Sequence, residues 1–89
     1  MSAMKTWTVE ILIGEIDGRT EAEAQLYDEI RDDLIGTGQT RVRPEDPNIP
    51  EIGDEIAVAR ALCDLGHRLM VAAACDLEDA THRRVSLHS

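Results

Sequence analysis

Eighty-nine residues, 43% hydrophobic and 30% charged, make a single domain spanning 1–89. A chain this small buries only about 60–65% of its unfolded surface, which excludes a large catalytic cleft with its own lid. Eighteen Asp and Glu against nine Lys and Arg leave a net charge of −9, which argues against a surface that tracks a phosphate backbone.

Residues 5–16 read as the first strand. From Trp7 to Ile13 the odd positions Trp7, Val9, Ile11 and Ile13 are apolar, the period-two pattern of a strand with one dry face. Asp17-Gly18 follows, the pair that suits a type I′ turn because both central residues take positive φ. A two-residue loop sets Ile16 opposite Arg19, Ile13 opposite Ala22, Ile11 opposite Ala24 and Val9 opposite Leu26. A second strand over 19–28 then shows Ala22, Ala24 and Leu26 to the dry side and Glu21, Glu23 and Gln25 to the wet one. A slip of one residue would bury those acids.

A third, weaker strand is expected over 35–43, with Gly38, Thr40 and Val42 on one face and Gln39, Arg41 and Arg43 on the other. Gly36-x-Gly38 has neither the third glycine nor the following helix of a nucleotide loop. Glycines at these places let a helix approach closely or form a bulge.

Pro44 to Pro50 holds three prolines and reads as a loop before one long helix over 51–77. Two starts compete, Asn48 as N-cap with Glu51 completing a capping box, and Asp54. Ile52, Ile56, Ala59, Leu62, Cys63, Gly66, Leu69, Met70, Ala73 and Leu77 share one broad arc of the wheel. That arc is expected to cover the dry face of the sheet, with Ala59, Gly66 and Ala73 permitting close packing. Arg60, Asp64 and Arg68 form an alternating ladder on the opposite side and read as a solvated face. Acids at a helix C-terminus oppose the dipole, so Asp76, Glu78 and Asp79 suggest a stop near Asp76 and a short polar tail.

No catalytic constellation emerges. Ser2, Ser86 and Ser89 are all near the ends, which leaves no serine nucleophile with a supporting triad. Cys63 and His67 are one turn apart but find no second ligand pair, and Cys63 falls within the apolar arc as a buried thiol. Cys75 lies nearer the polar side and is the more reactive candidate. Asp76 to His82 gathers carboxylates and a histidine that could hold a divalent ion weakly. No cofactor is implied, and an enzymatic or metal role through His67, His82 or Cys75 stays an alternative.

Twelve residues along one helix separate Cys63 from Cys75 by ~18 Å, too far for a disulfide. A reducing cytoplasm fits that usage. No run approaches the ~20 apolar residues of a membrane span, and the first residues lack a secretion-signal pattern.

The outer sheet face is expected to pair Arg41 and Arg43 with Glu10, Glu21 and Glu23. Leu12 and Tyr27 also point outward. With Arg41 and Arg43 they make up the candidate interaction surface, because three strands and one helix leave the sheet half covered.

The block Ile52-Gly53-Asp54-Glu55-Ile56-Ala57-Val58-Ala59-Arg60-Ala61-Leu62-Cys63-Asp64-Leu65 resembles a small actinobacterial family of unknown function with a double-stranded-RNA-binding-domain-like fold. Gly36-Thr37-Gly38 before Arg41, and Asp76-Leu77-Glu78 before Thr81-His82, resemble it too. The resemblance implies an α+β, dsRBD-like architecture: a three-stranded antiparallel meander packed on one C-terminal helix. It implies no activity and no catalytic residues. RNA-binding members of that fold contact phosphate with a basic helix start; here the start carries Glu51, Asp54 and Glu55. The expected function is a non-enzymatic interaction module whose partner is itself or another protein. The nucleic-acid alternative would need Arg41, Arg43, Arg83 and Arg84 in one patch.

Overall fold

The computed structural model describes residues 3–28, 33–41 and 49–88, the stretch 83–88 as backbone. Strands β1 (Thr8–Ile16), β2 (Arg19–Tyr27) and β3 (Ile35–Arg41) form an antiparallel meander in the order β1-β2-β3, followed by helix α1 (Pro50–His88). The fold is α+β. Asp17 (φ 50°) and Gly18 (φ 72°) both take the left-handed conformation of a type I′ turn. Ile16 faces Arg19, Ile13 faces Ala22, Ile11 faces Ala24 and Val9 faces Leu26, the register that the alternation and the turn dictate together. β3 stops at Arg41, and Val42 and Arg43 lie outside the described residues.

The helix begins at Pro50, whose fixed φ and missing N–H suit the first helical position. The N–H groups of Ile52 and Gly53 both donate to the Ile49 carbonyl, at 3.1 and 3.4 Å. Ile49 therefore stands at the cap position. Asp54 is inside the helix and starts nothing, while Asn48 lies outside the described residues. The helix does not stop near Asp76; it runs to His88, 39 residues in all. Asp76, Glu78 and Asp79 are thus helix-interior acids, far from the negative end of the dipole.

The core is small in every sense. Ala22, Ala24 and Leu26 of β2 meet Ala57, Ala61 and Leu65 of α1, with Leu34, Val58 and Leu69 packed at the margin. Ala22 pairs with Gly38 and Ala24 with Gly36, so both glycines share the helix side of the sheet. A Cβ on Gly36 would overlap the Ala61 carbonyl and the Leu65 backbone. One on Gly38 would overlap the backbone of Ala57 and Ala61. The helix lies directly on β3 and β2 and scarcely touches β1.

This rotates the helix away from the expected phase. The stripe against the sheet is Gly53, Ala57, Ala61 and Leu65, whereas Ile52, Ile56, Ala59, Leu62, Cys63, Gly66, Met70, Ala73 and Leu77 of the expected arc are exposed. The physical reason is distance. A helix seated on glycines and alanines approaches too closely for Ile or Met in its contact stripe, and Ala57 and Ala61 fit there instead. Gly66 faces open space and takes no part in helix–sheet packing.

Candidate interaction surface

The charged ladder of α1 is solvent-exposed at Arg60 and Arg68, as expected, but it also clamps the outer edge of β3. The Thr37 N–H donates to Asp64 Oδ2 at 2.9 Å, and Arg60 Nη1 donates to the Gln39 carbonyl at 2.7 Å. Arg68 Nε donates to the same Asp64 oxygen at 3.0 Å. The Thr37 N–H and then the Arg68 guanidinium hold the Asp64 carboxyl below its ordinary value, against the opposing effect of desolvation. Asp64 is therefore committed to accepting bonds as a carboxylate and is poorly suited to give or take a proton near neutrality. An edge strand is an open template for pairing with another chain, and here two side chains of the protein's own helix occupy it.

The opposite side of the molecule is apolar and uncovered. Val9, Ile11 and Ile13 of β1 share the helix side of the sheet, yet the helix does not reach them, and all three are more than a third exposed. Beside them a groove runs between β1 and α1, lined by Ile13, Asp54, Glu55, Val58, Ala59 and Leu62. Beyond the groove comes the exposed arc of α1, with Ile52, Ile56 and Met70. The large aliphatic side chains are outside while alanines fill the core. A continuous apolar surface of this kind marks an interaction site.

Leu12, Tyr27 and Arg41 do not gather into one patch. Leu12 pairs with Glu23 and Tyr27 with Thr8 on the outer face, four residues apart along β2, or roughly 13 Å. Arg41 stands at the other end of the sheet, opposite Arg19 rather than a glutamate, and it is Arg19 that bridges Glu21 at 2.9 Å. Cross-strand pairing by Arg41 is replaced by that in-strand ion pair. Arg43 lies outside the described residues.

Cys63 is exposed, not buried, because the helix turns its arc outward; Cys75 is exposed as well. Among the described residues no three His, Cys, Asp or Glu side chains are grouped to hold a metal ion. Among the described residues no helix is long and apolar enough to cross a membrane. The sequence signal for the uncovered surface was present in the arc itself; what it lacked was the orientation, which the glycines of β3 decide.

The family model described as Rv2632c-like matches residues 5–86. The uncharacterized protein Mb1767 of Mycobacterium bovis is 45% identical over 84 residues, covering 94% of this chain and 88% of that protein. The uncharacterized protein Rv2632c of Mycobacterium tuberculosis is 42% identical, covering 92% of this chain and 87% of that one. The crystal structure of Rv2632c superposes with a TM-score of 0.81 at 41% identity, covering 91% of this chain and 95% of that one.

Proposed function

This chain belongs to the Rv2632c-like family, whose mycobacterial members it matches over nearly their whole length, and we propose that it is a non-enzymatic protein-interaction module that associates with itself. The observation that carries this reading is the inversion of size between core and surface. Ala22, Ala24, Ala57 and Ala61 are buried, while Ile11, Ile13, Ile52, Ile56, Leu62 and Met70 are each more than a third exposed. Two buried leucines contribute about 2–3 kcal/mol each, and the four alanines less. A monomer of this composition leaves its main hydrophobic resource unused, and a second copy would put it to use.

The acidic balance and the acidic helix start work against a nucleic-acid partner, so the dsRBD-like comparison is carried as an analogy of architecture alone. Two exposed free thiols suit a reducing cytoplasm.

Light scattering on eluting protein at tens of micromolar tests the reading. A mass twice the chain's 9.8 kDa is expected, and a strictly monomeric mass with no partner captured would sink it. Ile56→Glu on the exposed arc of α1 should weaken association, whereas Leu12→Glu on the outer face should leave the mass unchanged. The reverse pattern would move the contact to the Leu12 and Tyr27 face.

A further inference from the structure

Ile52, Ile56, Ala59, Cys63, Gly66, Met70, Ala73 and Leu77 are spaced alternately four and three residues apart along one exposed line of α1. That is the 3.5-residue repeat of a coiled-coil seam, a narrower pattern than amphipathicity alone requires. The two heptad positions are unequal. One holds Ile56, Cys63, Met70 and Leu77; the other holds Ala59, Gly66 and Ala73 after Ile52. In a parallel pair like meets like, which sets small against small and leaves gaps. Reversing one helix exchanges the two positions, so every layer but the outermost, Ile52 with Leu77, joins a small residue to a larger one.

We propose that this line is the homodimer contact, with α1 of a second copy packed antiparallel along it; the inference rests on the self-association reading and assigns it a surface. The register that uses the whole seam sets Cys63 against Gly66, Ala59 against Met70, Ile56 against Ala73 and Ile52 against Leu77, with the two-fold axis between Asp64 and Leu65. Each sheet then lies on the outside of the helix pair. Gly66, which has open space before it and no role in its own monomer, becomes the point of closest approach. The groove beside β1 opens onto the same seam through Ala59 and Leu62.

Area supports a second copy of this chain as the occupant. The chain exposes 7400 Å², against about 5200 Å² expected for a compact 9.8 kDa monomer. The excess, roughly 2200 Å², is ample for the ~800 Å² per partner that a stable interface buries. The helix supplies the length, since its 39 residues span ~58 Å over strands of ~30 Å.

Ala59→Arg places a charge at an exposed position in the middle of the seam and should weaken dimerisation at least ~100-fold with unchanged helical circular dichroism. Met70→Glu, an exposed change remote from the buried core, should do the same and serves if Ala59→Arg misfolds. For orientation, Ile56→Cys and Ala73→Cys chains, each also carrying Cys63→Ala and Cys75→Ala, are mixed and oxidised. Cross-linked pairs of one chain of each kind are expected. Links between two Ile56→Cys chains would indicate a parallel pair and overturn the geometry. A monomeric wild type would remove the self-association reading itself. A dimer indifferent to Ala59→Arg and Met70→Glu would leave that reading standing and overturn this seam.

Discussion

Gly36 and Gly38 set the distance between sheet and helix more directly than any other side chains. Alanine at either position would push its methyl into helix backbone rather than into a yielding side chain, and a destabilisation of about 3 kcal/mol is expected for each from urea unfolding. Gly66→Ala meets open space in the monomer, where it should stabilise α1 by roughly 0.5–1 kcal/mol. Asp64 predicts a pH dependence of known sign. The Thr37 N–H and the Arg68 guanidinium hold its carboxyl below the ordinary carboxylate value in the folded protein, so its contribution is complete above that ordinary value and is lost as pH falls through the depressed one. Thermal unfolding across the acid range should show Asp64→Ala with a shallower decline below pH 4 than wild type. Parallel curves would mean that the Thr37 and Arg68 bonds carry nothing. The sequence shows Arg60, Asp64 and Arg68 as a ladder but not what it leans on, since backbone groups at a strand edge leave no mark in side-chain identity.

At the scale of elements, the hairpin is the part most fully legible in the sequence. Alternation over Val9 to Ile13, an Asp-Gly pair and alanines across from isoleucines agree on one register, and a slip would bury Glu21 and Glu23. The helix is legible in existence but not in phase. Its wheel carries two stripes, one of Ala57, Ala61 and Leu65 and one of Ile52, Ile56 and Met70, and a reading by hydrophobicity selects the larger residues. The choice belongs to the opposing surface, where glycines admit only small neighbours. The helix end is illegible for a related reason, since acids read as a terminal clash are internal once the helix continues. Hydrogen exchange should divide α1 accordingly. Amides before Leu69 are protected by the sheet, whereas those beyond Met70 depend on the seam and should exchange faster on dilution into the monomer. Uniform protection at every concentration would contradict the division.

For the whole molecule, elongation is the main physical fact. The radius of gyration is 18.3 Å and the extents are 64 × 32 × 18 Å, whereas a compact chain of this length has a radius near 12 Å. Net charge of −9 per chain opposes association at long range, and the proposed seam brings Glu55 of each copy toward Asp76 of the other. Raising salt from ~20 to ~300 mM should therefore tighten the dimer. A contact held by ion pairs would loosen over the same range, as would binding to a polyanion, so titration by sedimentation separates the physical cases.

The glycine contacts of β3 also bear on the order in which the chain assembles. The β1–β2 hairpin closes across two residues and carries its own turn, so it is a local event. β3 has two glycines in seven residues and few side chains to hold it against β2; its stabilising surface is the backbone of α1, some twenty or more residues further on. Strand and helix thus order as one unit, and loop closure between them sets the pace of folding. Ala61→Gly, at the centre of that junction, should slow refolding, while Ile13→Val on the uncovered strand should leave the rate nearly unchanged.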